Sequence, residues 1–111
     1  MNKLLVKLSH LIILSTLLAS CSNSFIAEKT GADEVRMLYP NQVSSCDFKG
    51  KTRVSVIDKI GFIDRDPTAV EQNLIKLARN NAIEMHGNVI TTTEVPVEGQ
   101  QSFNVYYCKD Q

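Results

Sequence analysis

Asp66-Pro67-Thr68-Ala69-Val70-Glu71-Gln72-Asn73-Leu74-Ile75-Lys76-Leu77-Ala78-Arg79-Asn80-Asn81-Ala82-Ile83-Glu84-Met85-His86-Gly87 carries both ends of a helix in its own letters. Asp66 can accept a hydrogen bond from an early helical amide. Pro67 suits the first helical position, because the amide it lacks would have been unpaired there. Between about Thr68 and Met85, the residues Val70, Leu74, Leu77, Ala78 and Met85 recur at three- and four-residue intervals and form one apolar stripe. Asn81 falls inside that stripe. Left there without a partner it would cost roughly 1–3 kcal/mol, so it bonds a backbone group or sits at the margin of a sheet. Glu71, Lys76, Arg79 and Ile83 make the opposite, solvated face. Gly87 can take the left-handed conformation that ends a helix. His86 reads as a cation at the helix C-terminus rather than a catalytic base.

Upstream, Asp58 to Asp66 reads as a loop leading to the cap, with Ile60, Phe62 and Ile63 among its charges. Its three aspartates lack the spacing of a calcium loop, and no metal is expected. The run Val43 to Ile57 alternates. Cys46, Phe48, Val54 and Val56 fall on one face and Asp47, Lys49, Lys51, Arg53 and Ser55 on the other, which predicts a half-buried strand. Gly50 marks a bulge or bend within it. Val35 to Tyr39 reads as an edge strand, with Val35, Met37 and Tyr39 set against Arg36 and Leu38 and ended by Pro40-Asn41.

Downstream, Val89 to Val97 is rich in Val, Ile and Thr and predicts a strand, Glu98 to Gln101 a polar hairpin turn, and Ser102 to Cys108 a last strand. The fold class expected is α+β: a small antiparallel sheet of three or four strands packed on one helix, in ββαββ order, with a disulfide. The last strand poses a parity problem. Phe103, Val105 and Tyr107 face one way and Tyr106 and Cys108 the other, so either the second pair faces inward or a bulge intervenes.

The N-terminus has a different character. Lys3 and Lys7 precede an apolar segment from Leu8 to Leu18, which is too short for a spanning helix of about 20 residues. Leu18-Ala19-Ser20-Cys21 then supplies small residues before a cysteine. This resembles the bacterial lipoprotein signal, which implies cleavage before Cys21 and diacylglycerol on its thiol. Residues 1–20 are therefore expected as a signal peptide, 21–34 as the lipidated cysteine and a tether, and 35–111 as one small domain. Removing residues 1–20 from the 111 leaves 91, with 10 basic residues against 12 acidic, a balance that argues against nucleic acid. Of three cysteines, lipidation would consume Cys21. That leaves Cys46 and Cys108 either to pair in an oxidising compartment or to stand as two buried thiols, and pairing is the favoured reading. Closing a loop of about 63 residues would stabilise so small a domain by roughly 4 kcal/mol in the chain-entropy model.

No nucleophile with a base and orienter is present, and no zinc spacing, phosphate loop or dinucleotide fingerprint. No enzyme and no cofactor are expected. The lipobox, Gly31-Ala32-x-x-Val35, Cys46-x-Phe48-x-Gly50, Ala78-Arg79-Asn80-Asn81-Ala82, Gly87-Asn88-Val89-Ile90 and Tyr106-x-Cys108 resemble a family of small bacterial lipoproteins of the domain-of-unknown-function type, distantly RcsF-like. The resemblance implies a periplasm-facing α+β domain with Cys46 and Cys108 paired, and no established reaction. RcsF-like chains differ in carrying four domain cysteines and a long proline-containing linker. Ser22 after Cys21 resembles the outer-membrane sorting signal. The expectation is a lipid-anchored outer-membrane protein on the periplasmic face, with an envelope protein as partner and a role in stress sensing or envelope maintenance. A second expectation is a module for a small ligand or a cell-wall or lipopolysaccharide fragment, bound by Lys49, Lys51 and Arg53.

Overall fold

The computed structural model describes residues 26–109, so the leader, Cys21 and Ser22 lie outside the described residues. The helix, α1, spans Pro67–Glu84, and the Asp66 carboxylate accepts a bond from the Thr68 amide at 3.3 Å. Its C-terminus differs from expectation. His86, not Gly87, takes the left-handed conformation, at φ 60°. The His86 amide donates to Ile83 O at 3.2 Å and the Gly87 amide to Ala82 O at 2.8 Å, the paired bonds of a Schellman motif. Gly87 is required for a different reason. A Cβ there would lie 2.3 Å from Val105 Cγ1, because the chain leaves the helix pressed against the sheet.

Six strands surround this helix in sequence: β1 (Arg36–Met37), β2 (Asp47–Ser55), β3 (Lys59–Ile60), β4 (Ile63–Asp64), β5 (Val89–Thr91) and β6 (Gln100–Tyr107). The main sheet has the order β1-β5-β6-β2, and β3 and β4 form a separate hairpin. The α+β class is as expected, with two refinements. β1 enters parallel to β5 rather than antiparallel, and the stretch from Asp58 to Asp66 contains a hairpin rather than a plain loop. β5 stops at Thr91, short of the expected Val97. Beyond it the Thr92 hydroxyl donates to Ser102 O at 2.8 Å and the Ser102 amide to a Glu94 carboxylate oxygen at 3.1 Å, so side chains replace the ladder. The final turn is Glu98-Gly99 alone, closed by two backbone bonds between Val97 and Gln100.

One sheet face packs on α1. Val35, Val54, Ile90, Phe103 and Val105 meet Val70, Leu74, Ala78 and Ala82 there. Asn81 finds its partner in this layer, donating from Nδ2 to Thr52 Oγ1 at 2.8 Å. Ile83, expected in the solvated face, is half-buried against the same core. Of the alternating set Val35, Met37 and Tyr39, only Val35 is buried; Met37 and Tyr39 are exposed, and Leu38 packs on the other sheet face.

That other face has a small core of its own. Val43, Val89 and Cys108 pack there with Leu38, Cys46 and Tyr106. Cys46 and Cys108 form the disulfide, with Cα atoms 4.5 Å apart. The parity problem of β6 is resolved by both expected means. Tyr106 and Cys108 face inward on this second side, and a bulge lies in the partner strand, where Phe48 pairs with Tyr106 but Gly50 with Val105. Lys49 is the extra residue, and Gly50 absorbs the irregularity at φ 137°. The slip reverses the facing of everything before it. Phe48, expected inward with Val54, therefore stands with Tyr106, 60% exposed, in an edge-on ring contact at 5.5 Å.

The packing reaches further upstream than the expected domain start at Val35. Asn80, buried within α1, donates from Nδ2 to Ala27 O at 2.8 Å and accepts from the Lys29 amide at 2.9 Å. Lys29 pairs with Glu84, and Ala32 is fully buried. Residues 27–34, expected as tether, are thus strapped along the helix.

Candidate functional site

The three cations proposed from sequence as a binding face lie on β2 but share no cavity. Arg53 is held to the neighbouring strand, donating from Nη1 to Ser102 Oγ and from Nη2 to Gln100 Oε1, both at 2.9 Å. Lys51 borders a hollow of about 40 Å³ formed with Thr91, Thr92, Thr93, Glu94, Ser102 and Asn104. That volume is room for a water or two, whereas small-molecule pockets run to about 300–1,000 Å³. Lys49 stands exposed in the bulge. His86 is exposed at the end of α1 and serves the turn described above.

The disulfide lies at the opposite end of β2 from the β3–β4 hairpin. Asn88 closes it over: Nδ2 donates to Cys108 O at 2.7 Å, and the Cys108 amide donates back to Oδ1 at 2.8 Å. The side chain thereby acts as one more rung of sheet for the residue that carries the bridge. Asn88 belongs to the Gly87-Asn88-Val89-Ile90 segment noticed in the sequence, and this contact gives that segment a physical reason.

Sequence reasoning missed the other end of the molecule. Ile57, Ile60, Phe62 and Ile63 are 70%, 69%, 106% and 73% exposed, and all belong to the hairpin or its approach. The Arg65 guanidinium braces the base of the hairpin, donating to Ile57 O at 2.6 Å, while the Arg65 amide donates to Asp58 O at 2.8 Å. Beside it lies an open groove of about 520 Å³, bordered by Ile26, Val56, Ile57, Ile60 and Leu77. Arg65 and Asn73 also border a second groove of about 570 Å³, along the outer side of α1, into which Lys76 and Arg79 project. Among the described residues no carboxylate lines that second groove, and the buried Arg79 Nε has no hydrogen-bond partner. The signal available in sequence was Ile60-Gly61-Phe62-Ile63, a glycine-led two-residue turn between β-branched residues.

Among the described residues no group of three or more His, Cys, Asp and Glu is placed to hold a metal ion. The described residues present a polar strand face, an apolar hairpin and a cationic groove. No curated protein and no solved structure matches the chain. A family model matches residues 27–108, a span that starts where Asn80 fastens the chain to the helix and ends at the bridged Cys108. The chain belongs to the family described as a domain of unknown function (DUF4156).

Proposed function

We propose that this chain is an outer-membrane lipoprotein, acylated on Cys21 and sorted with Ser22 behind it, whose α+β domain is a non-enzymatic interaction module on the periplasmic face. The observation that carries this reading is Leu18-Ala19-Ser20-Cys21 after a basic and apolar leader, only six residues ahead of Ala27, where the domain's packing begins. One further feature supports it: the disulfide suits an oxidising compartment. Envelope-stress sensing or envelope maintenance are the roles such a module would serve, with an envelope protein as its partner; the family resemblance to RcsF-like chains points the same way.

The test has two parts. Metabolic labelling with palmitate should mark the wild-type chain and not Cys21→Ser, and the wild type should sediment with the outer membrane. Recovery of an unacylated chain in the soluble periplasm overturns the anchor. Deletion of the chain should then alter an envelope-stress reporter, and Cys21→Ser should reproduce the deletion. An unchanged reporter in both removes the sensing role.

A further inference from the structure

We infer that the β3–β4 hairpin, with the cationic groove beside it, docks into a phospholipid monolayer and so fixes the domain's orientation on the membrane that holds it. The inference builds on the anchored reading of Cys21.

Four features of the structure lead there. First, the hairpin is not core that happens to show. Ile60, Phe62 and Ile63 extend on both sides of a two-residue turn with no layer of the domain packed over them, and Phe62 is as open as a side chain can be. Contiguous apolar surface of this kind marks an interaction site. Second, its base is rigid. Arg65 bonds the backbone at Ile57 and Asp58, so the tip projects from the domain rather than folding back on it.

Third, the chain arrives at this end. Going backwards from Gly31, which sits near Ile83, the segment runs along α1 past Asn80 at Ala27 to Ile26, and Ile26 borders the same groove as Ile57 and Ile60. Cys21 is five residues further back, a reach of at most about 18 Å. An acylated Cys21 therefore holds the hairpin end of the molecule toward the lipid, with the disulfide end away from it.

Fourth, although Asp58 and Asp66 flank the hairpin and Asp64 pairs with Lys59 at 3.9 Å, the groove beside the apolar tip is cationic. Arg65, Lys76 and Arg79 line one groove without a carboxylate, continuous with the apolar one through Arg65 and Asn73. An apolar wedge flanked by cations is the arrangement that sits at the boundary between acyl chains and phosphate headgroups. Phe62 would enter the acyl region, and Lys76 and Arg79 would meet phosphates.

The chain has no tryptophan, so Phe62→Trp gives a single tryptophan, excitable apart from the three tyrosines, at an exposed site that no packing depends on. Phe48→Trp serves as the reference. It is another exposed aromatic, on the main sheet rather than the hairpin and about 23 Å along β2 from its hairpin-side end toward the disulfide. Each full-length variant, purified from membranes, is reconstituted into vesicles of phosphatidylethanolamine and phosphatidylglycerol, with or without brominated acyl chains. The expected result is a blue-shifted emission from Trp at 62 that bromine quenches at least several-fold more than emission from Trp at 48. Lys76→Glu combined with Phe62→Trp should weaken that quenching.

Equal quenching at the two sites, or none at 62, overturns the proposal. A blue shift at 62 without bromine quenching also overturns it, because the hairpin is then covered by protein. Failure of the anchor is read separately, from the mass of Cys21. If the chain carries no acyl group, it is added to the same vesicles from solution, and quenching at 62 over 48 still decides whether the hairpin enters lipid.

Discussion

Two neighbouring residues at the end of α1 respond to opposite demands, and substitution should separate them. His86 bears a left-handed conformation that costs a side chain about 1–2 kcal/mol. Gly87 bears no such strain but has no room for a Cβ. His86→Gly should therefore stabilise the domain by about 0.5–1 kcal/mol, since the Schellman bonds need only the backbone. Gly87→Ala should destabilise it by about 2 kcal/mol or more, through overpacking against Val105 and Tyr106 O. Urea midpoints of the two variants, measured against wild type, give the answer. Opposite signs are expected, and a gain for Gly87→Ala would mean that the chain leaves the helix by another path. The sequence could announce a helix stop at His86-Gly87 but not which residue turns the corner. That assignment depends on the proximity of Val105, which is distant in sequence.

At the scale of elements, α1 and β2 are joined by one polar contact inside an apolar layer, Asn81 to Thr52. Breaking one partner strands the other in a buried or half-buried place, at a cost of about 1–3 kcal/mol, while replacing both by apolar groups of similar shape can be nearly neutral. Thr52→Val and Asn81→Leu should each destabilise the domain, and the double variant should lose less than the sum of the two. Thermal or urea unfolding of the four proteins gives the coupling directly, and strict additivity would mean that the bond contributes nothing. The helix and the long strands were legible because each presents one regular face to the core. Asp66-Pro67 opens α1 as read, and Val54 with Val56 faces inward as read. Phe48 was misread because the bulge at Lys49-Gly50 reverses facing, and a period-two pattern carries no mark of where the count slips. The β3–β4 hairpin was missed for a related reason. Its apolar side chains face no core, so no periodicity announced them. Asn80 was overlooked beside Asn81 because its partners, Ala27 and Lys29, lie in a segment that composition assigns to a tether.

For the molecule as a whole, the two ends of the sheet have different tasks. At one end the chain enters beside an apolar hairpin. At the other, Cys46 and Cys108, 62 residues apart, tie the start of β2 to the end of β6 within the smaller core. The bridge encloses α1 and nearly the whole sheet, so its removal should be felt globally, by about 2–4 kcal/mol. Cys46→Ala and Cys108→Ala should each show that loss, and the double variant should fall within about 0.5 kcal/mol of either, because one bond can be lost only once. Non-reduced wild type should migrate faster than all three in denaturing gels. Unfolding in a reducing agent separates the bond from the packing of its sulfurs. If the bond is what matters, reduced wild type and the three variants converge on one stability. If the variants remain well below reduced wild type, the sulfurs act chiefly as side chains filling the layer with Val43, Val89 and Tyr106, and the chain-entropy account fails for this domain.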